Sequence, residues 1–172
     1  WTKHADDYLQ RSIAVLTHAL VRRPLVLAET DGNVDQAVAG IADPMIRGWR
    51  RGVYAEGLAS RHVAETLRLI QASLAQLDRS LEANPWLAGD GFTLAEAAIV
   101  PAIYRLESLA LDFLWDERFP AIQPWLERTR ARPAFRTAVE AYISPEAAQT
   151  FRQAGLAERP ALKQLAAQVQ QP

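Results

Sequence analysis

The sequence predicts an all-α protein. Apolar residues recur with a 3.6-residue period from end to end, no segment shows strict alternation of β-branched residues, and only eight glycines punctuate the 172 positions. With 49% apolar and 23% charged residues, the chain matches globular averages. It is long enough to bury about two thirds of its unfolded surface without a disulfide or a metal. The expected fold is one helical domain over residues 1–172: a bundle over 1–144 around a buried central helix starting at Thr93, and a C-terminal extension over 145–172.

The first helix follows from Ala5, Tyr8, Leu9, Ser12, Ile13, Leu16 and Leu20 on one face, with Lys3, Asp6, Gln10 and Arg11 opposite. Pro24, which cannot continue a helix, is expected to stop it. Residues 23–43 carry Pro24, Asp31-Gly32-Asn33, Gly40 and Asp43-Pro44, which predicts a loop-rich connection with one helical turn around Gln36 to Val38. Pro44 suits the first turn of the next helix, which Gly48, Gly52 and Gly57 keep weak. From Ser60 a long helix places Val63, Leu67, Ile70, Leu74, Leu77 and Leu81 on one seam and ends at Asn84-Pro85.

From Thr93 to Leu111 nearly every position is apolar, the mark of a helix surrounded by others. Thr93-Leu94-Ala95-Glu96 reads as a capping box, in which the threonine hydroxyl and the glutamate satisfy each other's orphan amides. Pro120 and Pro124 bracket the start of a helix with Ile122, Trp125 and Leu126 inward. Arg132-Pro133 breaks it before a shorter helix with Phe135, Val139 and Tyr142. Beyond it, Pro145, Gly155 and Pro160 predict two short amphipathic stretches.

Composition also narrows function. The chain has no cysteine, so it carries no thiol nucleophile, CxxC centre or zinc ribbon, and it suits a reducing, cytoplasmic compartment. Nineteen basic residues, seventeen of them arginine, face twenty acidic ones, so no global field draws the protein to nucleic acid or anionic lipid. No apolar run approaches the roughly 20 residues that span a bilayer. A start at Trp1 followed by Lys3, Asp6 and Asp7 is unlike a secretory signal, and points to a terminus processed or cut from a longer chain.

Asp31, Asn33 and Asp35 fall at the first, third and fifth positions of a calcium loop, but Gln36 replaces the required glycine and Ala42 the bidentate glutamate. His4, His18 and His62 have no zinc-like spacing. No GxSxG elbow, phosphate loop or GxGxxG fingerprint occurs, and no metal is expected. Arg47, Arg50 and Arg51 around Trp49 form a possible anion-binding patch, against the plainer reading of a solvated helix face.

The run from Pro85 through Leu87-Ala88-Gly89-Asp90-Gly91-Phe92-Thr93-Leu94-Ala95-Glu96-Ala97, then Pro101, Phe119-Pro120, Trp125 and Arg132-Pro133-Ala134-Phe135, resembles the C-terminal helical domain of cytosolic glutathione transferases. The resemblance covers at least residues 60–142. Glu96 stands where that family usually has aspartate, an equivalent acceptor. The opening is loosely similar to the etherase, dehalogenase and ganglioside-induced-differentiation-associated branches. Nothing here resembles the family's thioredoxin-like N-terminal domain, which supplies the glutathione site and the activating residue, so no catalytic residue carries over and this chain alone is expected to be inactive.

The resemblance implies the electrophile-pocket wall and the dimer interface of a glutathione transferase, with glutathione as co-substrate and the thioredoxin-like domain as partner. Tyr8, Ser12 and Trp115 are the pocket-lining positions it suggests. For Tyr8 the plainer reading is a core-edge residue, and for Trp115 a core residue. The rival class is a stand-alone helical interaction module of the same fold, whose exposed apolar face would need a partner.

Overall fold

A computed structural model describes residues 1–169, and among them it contains helices and turns and no β-strand. The chain is helical without a break from Thr2 to Glu29, but not uniformly so. Helices α1 (Thr2–His4), α2 (Arg11–Thr17) and α3 (Arg23–Glu29) are joined by two wide π-helical segments, Ala5–Gln10 and His18–Arg22. Pro24 therefore does not end the helix. Its ring would crowd the Leu20 carbonyl in an α-helix. Here the Arg23 amide bonds the His18 carbonyl five residues back, which opens the register where Pro24 enters the first turn of α3.

The expected loop over residues 23–43 accordingly shrinks to two short turns. Asp31 and Gly32 take positive φ values of 48° and 79° and reverse the chain. Asn33 then caps α4 (Val34–Val38) by accepting from the Gln36 amide. Asp43 caps α5 (Pro44–Glu56), accepting from the Met45 and Ile46 amides.

Helix α6 (Arg61–Ala83), capped by Ser60, is the spine of the bundle. All six residues of its predicted seam are buried, and it packs against α2, α5, α8 (Ile122–Arg130) and α10 (Pro145–Gln168). Helix α7 (Leu94–Ser108) crosses the interior with Ile99, Ile103 and Leu106 fully buried. Its start is fixed by Glu96, itself wholly buried, which accepts from the Leu87 amide at 2.5 Å, the Thr93 amide at 2.8 Å and the Thr93 hydroxyl at 2.9 Å. The capping box thus also ties down the Trp86–Gly89 turn. Helix α7 is not covered on every side, since Leu94 is 77% exposed and Ala97 and Pro101 are open beside it.

After α8 and the short α9 (Pro133–Ala138), α10 runs unbroken through Gly155 and Pro160 where two separate stretches were expected. An interior proline costs about 3 kcal/mol in an isolated helix. Tertiary contacts on both sides of Pro160 offset it. Arg159 donates to the Ala110 carbonyl and forks onto Asp112, Gln71 donates to the Ala166 carbonyl, and Leu162 is fully buried. Gly155 is a contact rather than a break: a Cβ there would fall 1.6 Å from the Leu109 carbonyl oxygen. The last three positions of the predicted 145–172 extension, 170–172, lie outside the described residues.

Candidate functional site

The wide π segment brings Tyr8 to the lip of a cleft between the opening helix and the first two turns of α6. The cleft holds about 190 Å³ and is walled by Tyr8, Arg11, Ser12 and Val15 on one side and by His62, Glu65 and Leu69 on the other. Tyr8 is 43% exposed, whereas its neighbour Leu9 is fully buried. Ser12 is buried, and its hydroxyl oxygen has no partner among the described residues. Two of the three predicted lining positions therefore meet in one place.

Trp115 does not join them. The 3₁₀ turn Asp112–Leu114 directs its ring into the core, where it is fully buried and its indole N–H donates to Gln123 Oε1 at 3.4 Å. Its candidacy as pocket wall is corrected accordingly, and the core reading describes it.

The arginines of α5 are dispersed rather than pooled. Arg51 pairs with Asp35 at 2.7 Å, Arg47 donates to the Ile41 carbonyl at 2.9 Å, and Arg50 lies 5.4 Å over the Trp49 ring with its Nε buried and unpartnered among the described residues. The predicted anion patch thus has two of its three guanidinium groups already engaged. Asp35 and Asn33, the partial calcium match, serve as ion-pair partner and helix cap, and no group of three His, Asp or Glu residues among the described ones is placed to hold a metal.

Sequence spacing gave no sign of what the histidines do. His62 borders the Tyr8 cleft and also a neighbouring hollow of about 380 Å³ beside Arg51 and Gly52, with its Nδ1 3.6 Å from Glu65 Oε2. Gly52 makes room for it, since a Cβ there would lie 3.1 Å from the imidazole. His18 hydrogen-bonds the Tyr54 hydroxyl at 2.7 Å and meets Trp49 edge-on. Burial, and then the charges of Arg50 and Arg22, push its pKa down to about 4, so it is a neutral packing imidazole. His4 bonds Ser73 at 2.9 Å between the Trp1 and Tyr8 rings, and burial lowers its pKa as well. The two hydrogen-bond partners lie 36 and 69 residues away in sequence.

The Tyr8 cleft combines two aliphatic side chains, Val15 and Leu69, with a phenol, an imidazole and the charged Asp7, Arg11 and Glu65. Such a site holds and orients a small organic molecule; it contains no thiol or activated hydroxyl to attack one. Residues 53–133 match the family described as glutathione S-transferase, C-terminal domain, which supports a glutathione S-transferase-like C-terminal domain over that stretch.

Among relatives, the chain is 25% identical to Protein LigF of Sphingobium sp. over 146 aligned residues, covering 81% of this chain and 56% of that protein. It is 34% identical to the disulfide-bond oxidoreductase YfcG of Escherichia coli over 43% of this chain and 31% of the relative. The glutathione S-transferase GstB of Escherichia coli is 37% identical over 42% of this chain and 34% of its own length. The chain thus spans from about a third to a little over half of these relatives. No solved structure shows a significant match. No helix among the described residues is long and apolar enough to cross a membrane.

Proposed function

We propose that this chain is the electrophile-pocket and dimerisation half of a cytoplasmic glutathione transferase, and that it works with a thioredoxin-like domain that binds glutathione. The match of residues 53–133 to the family carries the reading, and the Tyr8–Ser12 cleft supports it with a mixed polar and apolar wall that can hold a small organic electrophile. In the proposed reaction the glutathione thiolate attacks an electrophilic carbon and a carbon–sulfur bond forms; in displacement the leaving group departs with its electron pair, and in conjugation the electron pair moves onto the electrophile and is protonated there. The thiol is activated in the other domain. This half holds the electrophile in reach, so it sets specificity through orientation.

The intact mass of the natural gene product, isolated from its source, tests the architecture. A mass well above 19.1 kDa that includes a thioredoxin-like segment is expected. On that product, Tyr8→Ala is expected to raise KM for the electrophile several-fold and leave KM for glutathione unchanged. A 19.1 kDa product without glutathione-dependent activity overturns the proposal and favours the interaction module, for which the exposed Leu94 and Tyr142 would be contact residues.

A further inference from the structure

A second cavity, of about 320 Å³, lies between α7 and the turn after α9, well apart in sequence from the Tyr8 cleft. Pro101, Val139 and Ile143 give it an apolar lining, and the rings of Tyr104 and Tyr142 flank it. Tyr142 is 83% exposed at its rim. One cation borders the space. The Arg105 guanidinium is stacked 4.4 Å from the Phe151 ring of α10, which holds it from behind.

Unlike its neighbour Arg130, which pairs with Glu107, Arg105 forms no ion pair among the described residues, and its Nη1 is shut away from water without an acceptor. Burial draws its pKa down, as expected of a guanidinium losing solvent without gaining an anion. The Phe151 face offsets part of that charge, and an anion entering the cavity meets the part of the Arg105 side chain that lines it. The fork geometry of arginine matches a carboxylate. A single cation balances a monoanion, and the apolar lining selects a hydrophobic body.

We propose that this cavity binds a small aromatic or aliphatic carboxylic acid, its carboxylate held by Arg105 and its apolar body between Pro101, Val139 and Ile143. A cavity at the small end of the usual range for ligand sites accommodates one ring on a short chain. This site shares no lining residue with the Tyr8 cleft.

The test is calorimetric titration of the 172-residue chain with 3-phenylpropanoate and, in parallel, with the neutral 3-phenylpropanamide of the same shape. Saturable binding of the acid is expected, with the amide at least ten-fold weaker and the Arg105→Gln variant at least ten-fold weaker for the acid. Ala138→Trp fills the cavity from an exposed position and leaves Arg105 itself unchanged, and is expected to abolish binding. Should Arg105→Gln not fold, as judged by circular dichroism, the amide comparison and Ala138→Trp decide. Equal affinity for acid and amide, acid binding that survives Ala138→Trp, or no saturable binding of the acid overturns the proposal. None of these outcomes bears on transferase activity, because no glutathione is present.

Discussion

Replacing Gly155 by alanine sets two physical effects against each other. In an exposed helix interior this change stabilises by about 1 kcal/mol, because alanine is the better helix former. At Gly155 the structure opposes it: the added Cβ would lie 1.6 Å from the Leu109 carbonyl oxygen and 2.5 Å from its carbon, where contacts under 3.0 Å essentially never occur. Both partners are backbone, so no rotamer change relieves the clash. Helix α10 must move away by more than an ångström, and the Arg159 bonds to Ala110 and Asp112 hold it from moving one turn further on. Overpacking of a tight core costs about 1–3 kcal/mol and sometimes more. With so rigid an obstacle the upper end applies, and the net loss after the helix gain is about 2 kcal/mol or more. For a chain of this size that lowers Tm by about 4–8 °C. Thermal melting followed by far-UV circular dichroism reads this directly, and an unchanged or raised Tm would refute the claim that α10 packs backbone to backbone on the 109–111 turn.

Glu96→Ala strands the buried Leu87 and Thr93 amides together, so urea titration is expected to show a loss of about 3 kcal/mol; Glu96→Gln, which keeps an acceptor, is expected to lose less. His18 has a folded pKa of about 4 against an ordinary 6.5, so between those values the unfolded chain binds the extra proton. Its contribution is complete above pH 6.5 and is lost as pH falls toward 4. Wild type is expected to lose about 2 kcal/mol more than His18→Gln between pH 7 and pH 5, measured by urea unfolding. Arg159→Ala removes a three-bond clamp and is expected to cost about 1–3 kcal/mol. Arg51→Ala breaks only the exposed pair with Asp35 and is expected to leave the urea midpoint in the same assay unchanged.

Where local pattern governs structure, the sequence is transparent. The α6 seam, the helix starts at Pro44 and after Ser60 and the Thr93–Glu96 box depend on residues within a turn or two of each other, and all are where the pattern places them. Prolines mislead at Pro24 and Pro160, because their cost is local but what outweighs it is not. A wide turn admits the first, and contacts from α6 and the 110–112 turn hold the helix around the second. Of the candidate site, the resemblance suggests Tyr8 and Ser12, which share one cleft, yet it says nothing of the opposite wall. His62 and Leu69 reach the cleft only through the packing of α6 on the opening helix, a contact with no trace in the spacing of either segment. Trp115 fails as a pocket residue for the same reason, since the direction of its ring is set by a 3₁₀ turn whose hydrogen bonds no motif announces.

The two π segments of the opening helix also bear on how this chain tolerates changes in length. A wide turn holds one residue more than an α-helical turn needs. Deleting a residue within Ala5–Gln10 can therefore be absorbed by tightening to α-helical pitch, with Leu16 and Leu20 kept facing inward. The same deletion in the middle of α6 rotates every later side chain by about 100° and turns Leu77 and Leu81 out of the core. The opening helix is the part of the bundle where insertions and deletions of single codons find a ready accommodation.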